Sequence, residues 1–436
     1  MIAPRANEGR NTCATGSNVS SLLVLLLWQL RQVQLLAPSP IALQTSGKRA
    51  ADFSRQMNCP LPLWYNTGVL RTFQYRLYPT HAQATLLQQT LDECRWLYNH
   101  LLEKRKVAWE QGRVSLSYFD QCAFLPDLKD SRVSLKLVNA QVLQNVAGRI
   151  DLAFKAFFRR AKAGKKPGYP RFKGWGWYDS FTYPQVSGVC KVEDGSVVLS
   201  RVGQVKAKVH RPIQGIPKTC TVKRTSTGKW YVSFACENVP ADVVPGSVEA
   251  VGIDVGLTSF ATLSNGESIE NPRFFRKEER ALARAQRRLA KEAKGTAQRW
   301  RRKKVVARVH ERVAHRRRDF AHQHSRRIVN RFQVIAVEDL SVNRMVHNRC
   351  LAKSIMDAAW SQFAAYLSYK AESAGRSFVA VNPAYTTQDC SMCGHRQDMP
   401  LGQRIFSCPC CGLHLDRDLN ASRNILRLGL ESLAAA

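Results

Sequence analysis

The sequence predicts a multidomain α+β protein: a small antiparallel β-barrel with a helical insertion, then an α/β domain interrupted by a metal-binding hairpin. Three observations carry this. Residues 180–238 are short strands punctuated by Gly and Pro, a barrel pattern. From Glu249 onward, apolar strands that end in an acid alternate with helical stretches. Near the C-terminus stand two Cys-x-x-Cys pairs, Cys390/Cys393 and Cys408/Cys411. Tetrahedral zinc takes four soft ligands, and two such knuckles supply them.

Residues 1–68 are unlike the rest. Leu22 to Trp28 is apolar, but Gln29, Arg31, Gln32 and Gln34 end the run well before the roughly 18 residues a membrane-spanning helix needs. The charge pattern is poor for a signal peptide and no small-x-small cleavage site follows. We read 1–68 as a non-domain extension, with Met57 or Val69 as candidate starts. At Arg71 the alternation RTFQYRLYP marks a strand ending at Pro79. Thr80 then caps a helix with Leu87, Leu91, Cys94, Tyr98 and Leu101 on one face. A second helix near 136–161 aligns Leu143, Val146, Ile150, Phe154 and Phe157. Both stripes are core faces of a helical hairpin inserted after one strand, at about 80–162.

The stretch RRAKAGKKPGYPRFKGWGW, Arg159 to Trp177, interleaves cations with Gly, Pro and aromatics. Lys165, Lys166, Arg171 and Lys173 can neutralise phosphates, and Tyr169, Phe172 and Trp175 can stack on bases. The runs VCKVEDGSVVLS, QVKAKVHR and CTVKRTSTGKWYVSFACE follow as barrel strands, completed by the strand at Arg71. AVGIDVGLTSFATLSNG reads as strand, tight turn, strand, then an Asn265-Gly266 hairpin turn. Residues 276–331 are a basic helical stretch whose one-signed excess suits a nucleic-acid groove. FQVIAVEDL delivers Glu338 at the end of a buried strand, and SFVAV is a further short buried strand.

The formal net charge of +33 makes nucleic acid the default partner. Thirteen cysteines, clustered only once at ligand spacing, suit a reducing cytoplasm better than a disulfide framework. The expectation is a cytoplasmic protein with no membrane partner and no small-molecule substrate. In the ribbon, Gly394 and Gly412 follow the knuckles and permit turns that aim backbone amides at the thiolates. The four thiolates close the zinc shell, which makes that zinc structural; His395, His414 and Cys410 stay outside it.

Asp254, Glu338 and Asp416/Asp418 recur at strand ends or a helix start. Acids there are costly unless paired or metal-bound. Converging, they can hold two divalent cations for phosphodiester hydrolysis, and hard oxygens suit magnesium. The order β–β–β–α–β–α–β–α with acids at these points is the ribonuclease-H-like arrangement.

The motifs FQYRLYPT, KPGYPRFKG, VGIDVGL, VEDLSVNRM, TTQDCSMCGH and CPCCGLHLDRDLNASRNI make the chain resemble the TnpB family, over about residues 70–430. These are insertion-sequence-encoded, RNA-guided DNA endonucleases, also called OrfB transposases and related to type V CRISPR effectors. The resemblance implies a wedge-like barrel with a helical recognition insertion over 69–248. It implies a RuvC-type nuclease domain over 249–385 and 413–436, split by a zinc-ribbon insert at 386–412. Asp254, Glu338 and, through the Asp-x-Asn-Ala pattern, Asp418 match the RuvC acids; Asp416 fits a turn. Further implications are a guide RNA from the element's own end and a double-stranded DNA target with a short flanking motif. A strand-transferring transposase and a non-catalytic nucleic-acid-binding regulator are the competing readings.

Overall fold

In strand β1 (Val69–Tyr78) Phe73, Tyr75 and Leu77 are buried while Thr72 and Gln74 face solvent, so the expected alternation holds. The computed structural model describes residues 69–242, 249–400 and 402–435; the expected extension 1–68 lies outside them. The described chain forms two units.

The first unit contains residues 80–185 and 199–203. Helix α1 (His81–Gly112) starts at the Thr80 cap that the sequence predicts, in a capping box completed by Gln83, and stops at Arg113 in a left-handed conformation. The short helices α2 (Tyr118–Ala123) and α3 (Leu125–Ser131) precede α4 (Ala140–Lys162), which packs on α1. The predicted face residues are buried, apart from Phe154, which is half-buried. Arg149 ties α4 to strand β2 (Ser180–Tyr183), donating to Ser180 O at 2.6 Å and Thr182 Oγ1 at 2.9 Å.

The second unit holds two sheets and the cysteine hairpin. The first sheet uses β3 (Cys190–Glu193), β4 (Ser196–Leu199), β5 (Gly203–Lys208), β6 (Ile216–Arg224) and β7 (Trp230–Val239). β1 lies between β7 and β5, antiparallel to both, as expected of the strand at Arg71. The second sheet has the order β10-β9-β8-β11-β12. Its members are β8 (Ala250–Val255), β9 (Ser259–Leu263), β10 (Ser268–Glu270), β11 (Val334–Glu338) and β12 (Ser377–Val381). β8, β11 and β12 run parallel, whereas β9 and β10 are antiparallel additions joined at the Asn265-Gly266 turn. β12 is an edge strand in which only Val381 is fully buried, less covered than its apolar sequence suggested. The basic stretch is two helices, α5 (Phe274–Ala290) and α6 (Ala297–Arg331). After β11 come α7 (Val342–Met345), α8 (Arg349–Ala358) and α9 (Trp360–Ser373). A small hairpin, β13 (Ile405–Ser407) with β14 (His414–Asp416), leads into the last helix, α10 (Arg417–Ala434).

Helix α10 lies across β8, β11 and β12 at a separation set by two glycines. A Cβ on Gly252 of β8 would land on the Ser422 carbonyl oxygen and the Leu426 amide. A Cβ on Gly429 of α10 would meet Ala336 of β11 at 2.5 Å. Gly252→Ala is expected to force helix and sheet apart, lowering stability by about 1–3 kcal/mol. Thermal melts check this, and an unchanged melting temperature contradicts it.

Lys370 of α9 is 4 % exposed; its Nζ donates to His322 O and Ser325 Oγ of α6, each at 2.7 Å. Among the described residues no acid pairs with it. Burial, then the nearby Arg326 charge, pulls its pKa from 10.5 down to about 8. The folded state therefore loses this proton before the unfolded state does. Stability should rise with pH between about 8 and 10.5. Lys370→Met should flatten that rise, which melts at pH values across this window measure directly. Among the described residues no helix is long and apolar enough to cross a membrane.

Candidate active site

Local chain geometry builds the cysteine cluster. Gly394 and Gly412 take φ of +75° and +71°, and their amides donate to Cys390 O and Cys408 O at 2.9 and 3.0 Å. Each knuckle thus closes on itself, as the glycine positions predict. The sulfurs of Cys390, Cys393, Cys408 and Cys411 lie within 4.8 Å of one another, and Cys410 is not among them. Cys390–Cys411 and Cys393–Cys408 are each separated by 3.6 Å. A tetrahedron with metal–sulfur bonds of about 2.3 Å has edges of about 3.8 Å, so the spacing fits a zinc ion. The amides of Cys411 and Cys410 help pull the Cys408 thiol down to about 6, while burial and hydrogen bonds with the other three sulfurs raise Cys411 to about 12. His414 Nδ1 is engaged by Ser407 Oγ at 2.9 Å, and His395 takes part through its carbonyl, which accepts from Cys390 N.

The acids arrive from three elements. Ile253 of β8 is in register with Val337 of β11, so Asp254 and Glu338 are the next residues on adjacent parallel strands. Asp418 sits in the first turn of α10, which crosses both strands. Asp254 is 9 % exposed, and burial first, then the charges of Glu338 and Asp418, hold its carboxyl well above the ordinary range. Burial also raises Glu338, opposed by the hydrogen bond that Thr386 Oγ1 donates to its Oε1 at 2.6 Å. Arg417 and Arg404 lie 3.3 and 3.5 Å from the two oxygens of Asp418. Asp416 is the helix N-cap: its Oδ1 accepts from Asp418 N and Leu419 N at 2.8 and 3.1 Å. Asp416 therefore caps the helix, and Asp418, whose carboxylate pairs with Arg417 and Arg404, adds to the charge that raises Asp254, as Asp416 does more weakly.

The loop residues Lys165, Lys166 and Arg171 are exposed, as are Tyr169, Phe172 and Trp175 in large part; Trp177 is 79 % exposed. Two loop members also have internal work. Tyr169 sits edge-on to Phe154 and Phe157, with centroids 5.5 and 5.7 Å away. The Lys173 backbone exchanges two hydrogen bonds with the Asn99 side chain, at 2.7 and 2.9 Å.

Sequence reasoning missed several supporting residues: Gly252, Gly429, Thr386, Arg404, Asn420 and Asn424. Gly252, Thr386, Asn420 and Asn424 lie within the quoted motifs, but nothing local in those motifs assigns them these roles, because their contacts are long-range.

Residues 233–349 match the family described as a probable transposase, and 360–425 match the Cas12f1-like TNB domain. Residues 67–113 match a family described as a helix-turn-helix domain, although the described part of that segment is strand β1 and the single unbroken helix α1. A Streptomyces pristinaespiralis protein named "Putative RNA-guided DNA endonuclease" is 37 % identical over 84 % of this chain and 91 % of its own length. InsQ of Escherichia coli K12, of the same description, is 32 % identical over 84 % of this chain and 94 % of its own. The solved Cas12f1–sgRNA–target DNA complex superposes with a TM-score of 0.52 at 17 % identity, covering 79 % of this chain and 83 % of that one, a likeness of fold.

Proposed function

The chain belongs to the TnpB family of insertion-sequence-encoded RNA-guided DNA endonucleases, and on that premise we propose that it cuts DNA at sites chosen by a bound RNA, using Asp254, Glu338 and Asp418. The observation that carries the active-site assignment is the convergence of these three acids, from two adjacent parallel strands and a helix start, with one of them buried. In this reading the second sheet and α10 form a RuvC-type, ribonuclease-H-like nuclease domain. The first sheet is the wedge-like barrel, and the cysteine hairpin is a structural zinc ribbon.

Three carboxylates are the hard oxygen donors that magnesium takes. Asp254 is desolvated beside two other acids, and a cation there offsets repulsion that otherwise favours its protonated form. When bound, such ions supply activation of the attacking water and stabilisation of the leaving oxygen. The chain's own contribution is placement. The parallel register fixes Asp254 relative to Glu338, and the α10 cap fixes the turn from which Asp418 projects. Thr386 holds one oxygen of Glu338, and Arg404 and Arg417 restrain Asp418.

The exposed cations of α5 and α6, such as Arg284, Arg287, Arg301 and Arg308, engage phosphate backbones without reading sequence. Base pairing to a guide RNA from the element's own end then supplies specificity, with a short motif read beside the double-stranded DNA target. The Lys165–Lys173 stretch contributes further backbone contacts. This reading places the protein in a prokaryotic cytoplasm.

The expressed protein should copurify with RNA from the 3′ end of its own gene. After RNase treatment, site-specific cleavage should fall by at least about tenfold and return when that RNA is added back. Guide-free protein that cuts a defined site at the full rate overturns the proposal. Joined rather than cut products favour the strand-transfer reading.

A further inference from the structure

Helix α10 carries Asn420, Ser422 and Asn424 on a buried face. Buried amides are costly unless bonded, so their partners show what the helix is built to hold. Asn420 Nδ2 donates to Asp389 O at 2.8 Å, and its Oδ1 accepts from Ser391 N at 2.9 Å. Asn424 Nδ2 donates to Thr386 O at 3.0 Å and Asp389 O at 2.6 Å. Both asparagines thus clamp one segment, 386–391, which runs from Thr386 into the first cysteine knuckle at Cys390. At the near end of that segment, Thr386 is 2 % exposed and its Oγ1 donates to Glu338 Oε1 at 2.6 Å. One hydrogen-bonded path therefore links the helix bearing Asp418, the knuckle bearing Cys390 and the carboxylate of Glu338.

We propose that Thr386 is a positioning residue for Glu338, and that the Asn420/Asn424 clamp makes its position depend on an intact cysteine hairpin. The inference rests on Glu338 being one of the metal-holding acids. A threonine hydroxyl on one carboxylate oxygen limits rotation of the group and directs the remaining lone pairs. With the clamp broken, segment 386–391 loses its ties to α10 and keeps only those within the hairpin, such as the Asp389–Arg396 ion pair and the Cys390 N to His395 O bond, and Glu338 loses its fixed orientation. On this account the hairpin supports cleavage in a way separate from holding nucleic acid.

The test compares Thr386→Val, which keeps the shape and removes the donor, with Thr386→Ser, which keeps the donor. Both are made in the full chain with its copurified RNA. Thr386→Val should lower the maximal cleavage rate and weaken binding of manganese, the probe ion, by about tenfold each. Zinc content, RNA content and DNA affinity should stay at wild-type values, and Thr386→Ser should restore both losses. Asn424→Ala should reproduce the Thr386→Val pattern with zinc retained; if either variant fails to fold, the other carries the comparison. Manganese affinity is read by electron paramagnetic resonance and needs no cleavage, so it tests Thr386 independently of activity. Wild-type manganese affinity in Thr386→Val, or equal impairment of Val and Ser variants, overturns the inference. Cleavage surviving in Glu338→Gln instead overturns the assignment of the acids themselves.

Discussion

Asp254→Asn and Asp418→Asn, each in the RNA-loaded protein, are expected to lower DNA cleavage by about a thousandfold while RNA still copurifies. Asp254 lies deepest, and the charges of Glu338, Asp418 and, more weakly, Asp416 bear on it. Its amide replacement cannot share a divalent cation as a carboxylate does, yet keeps the shape. The same replacement should raise thermal stability when divalent ions are chelated. The folded-state carboxyl is raised, so the unfolded chain ionises first and wild-type stability falls as pH climbs past the ordinary carboxylate range. Asparagine removes that loss, a gain of stability against function expected of a strained site. Asp416→Asn is the internal control: asparagine caps helices as well as aspartate, so cleavage should stay near wild type. Loss of cleavage only in Asp416→Asn, or equal loss at 416 and 418, refutes the division of roles.

Cys408→Ser is expected to abolish zinc binding, open the hairpin to proteolysis and reduce cleavage by at least about tenfold. The hairpin's own core is small. Its apolar cluster consists of Cys390, Met399, Phe406 and Cys408 with Leu413 alongside, and two of those members are themselves ligands. A core of that size does not fold without a staple. Metal analysis and limited proteolysis measure the first two effects. Full zinc occupancy with unchanged cleavage in the variant shows that the four-thiolate reading is wrong. Cys410→Ser, outside the cluster, should leave zinc content unaltered.

The sequence by itself determined whatever depends on neighbouring residues. Each Cys-x-x-Cys turn followed by glycine is closed by its own backbone, which fixes its two cysteines as one half of the four-sulfur cluster. The alternation at Arg71 and the capping pattern at Thr80 specify strand and helix through the same local rules. The positions of two acids were legible too: Asp254 stands near the end of β8 and Glu338 ends β11. The edge position of β12 was not legible, because an apolar strand has the same sequence whether it is flanked once or twice. Nor did the sequence reveal that Gly252 and Gly429 set the spacing of helix and sheet. That Thr386 reaches Glu338, and that Asn420 and Asn424 clamp the segment between them, was equally hidden. Each of these contacts joins residues dozens of positions apart. Residue type alone does not say which backbone or side chain will stand opposite; strand order and helix depth decide that, and only the packed structure supplies them.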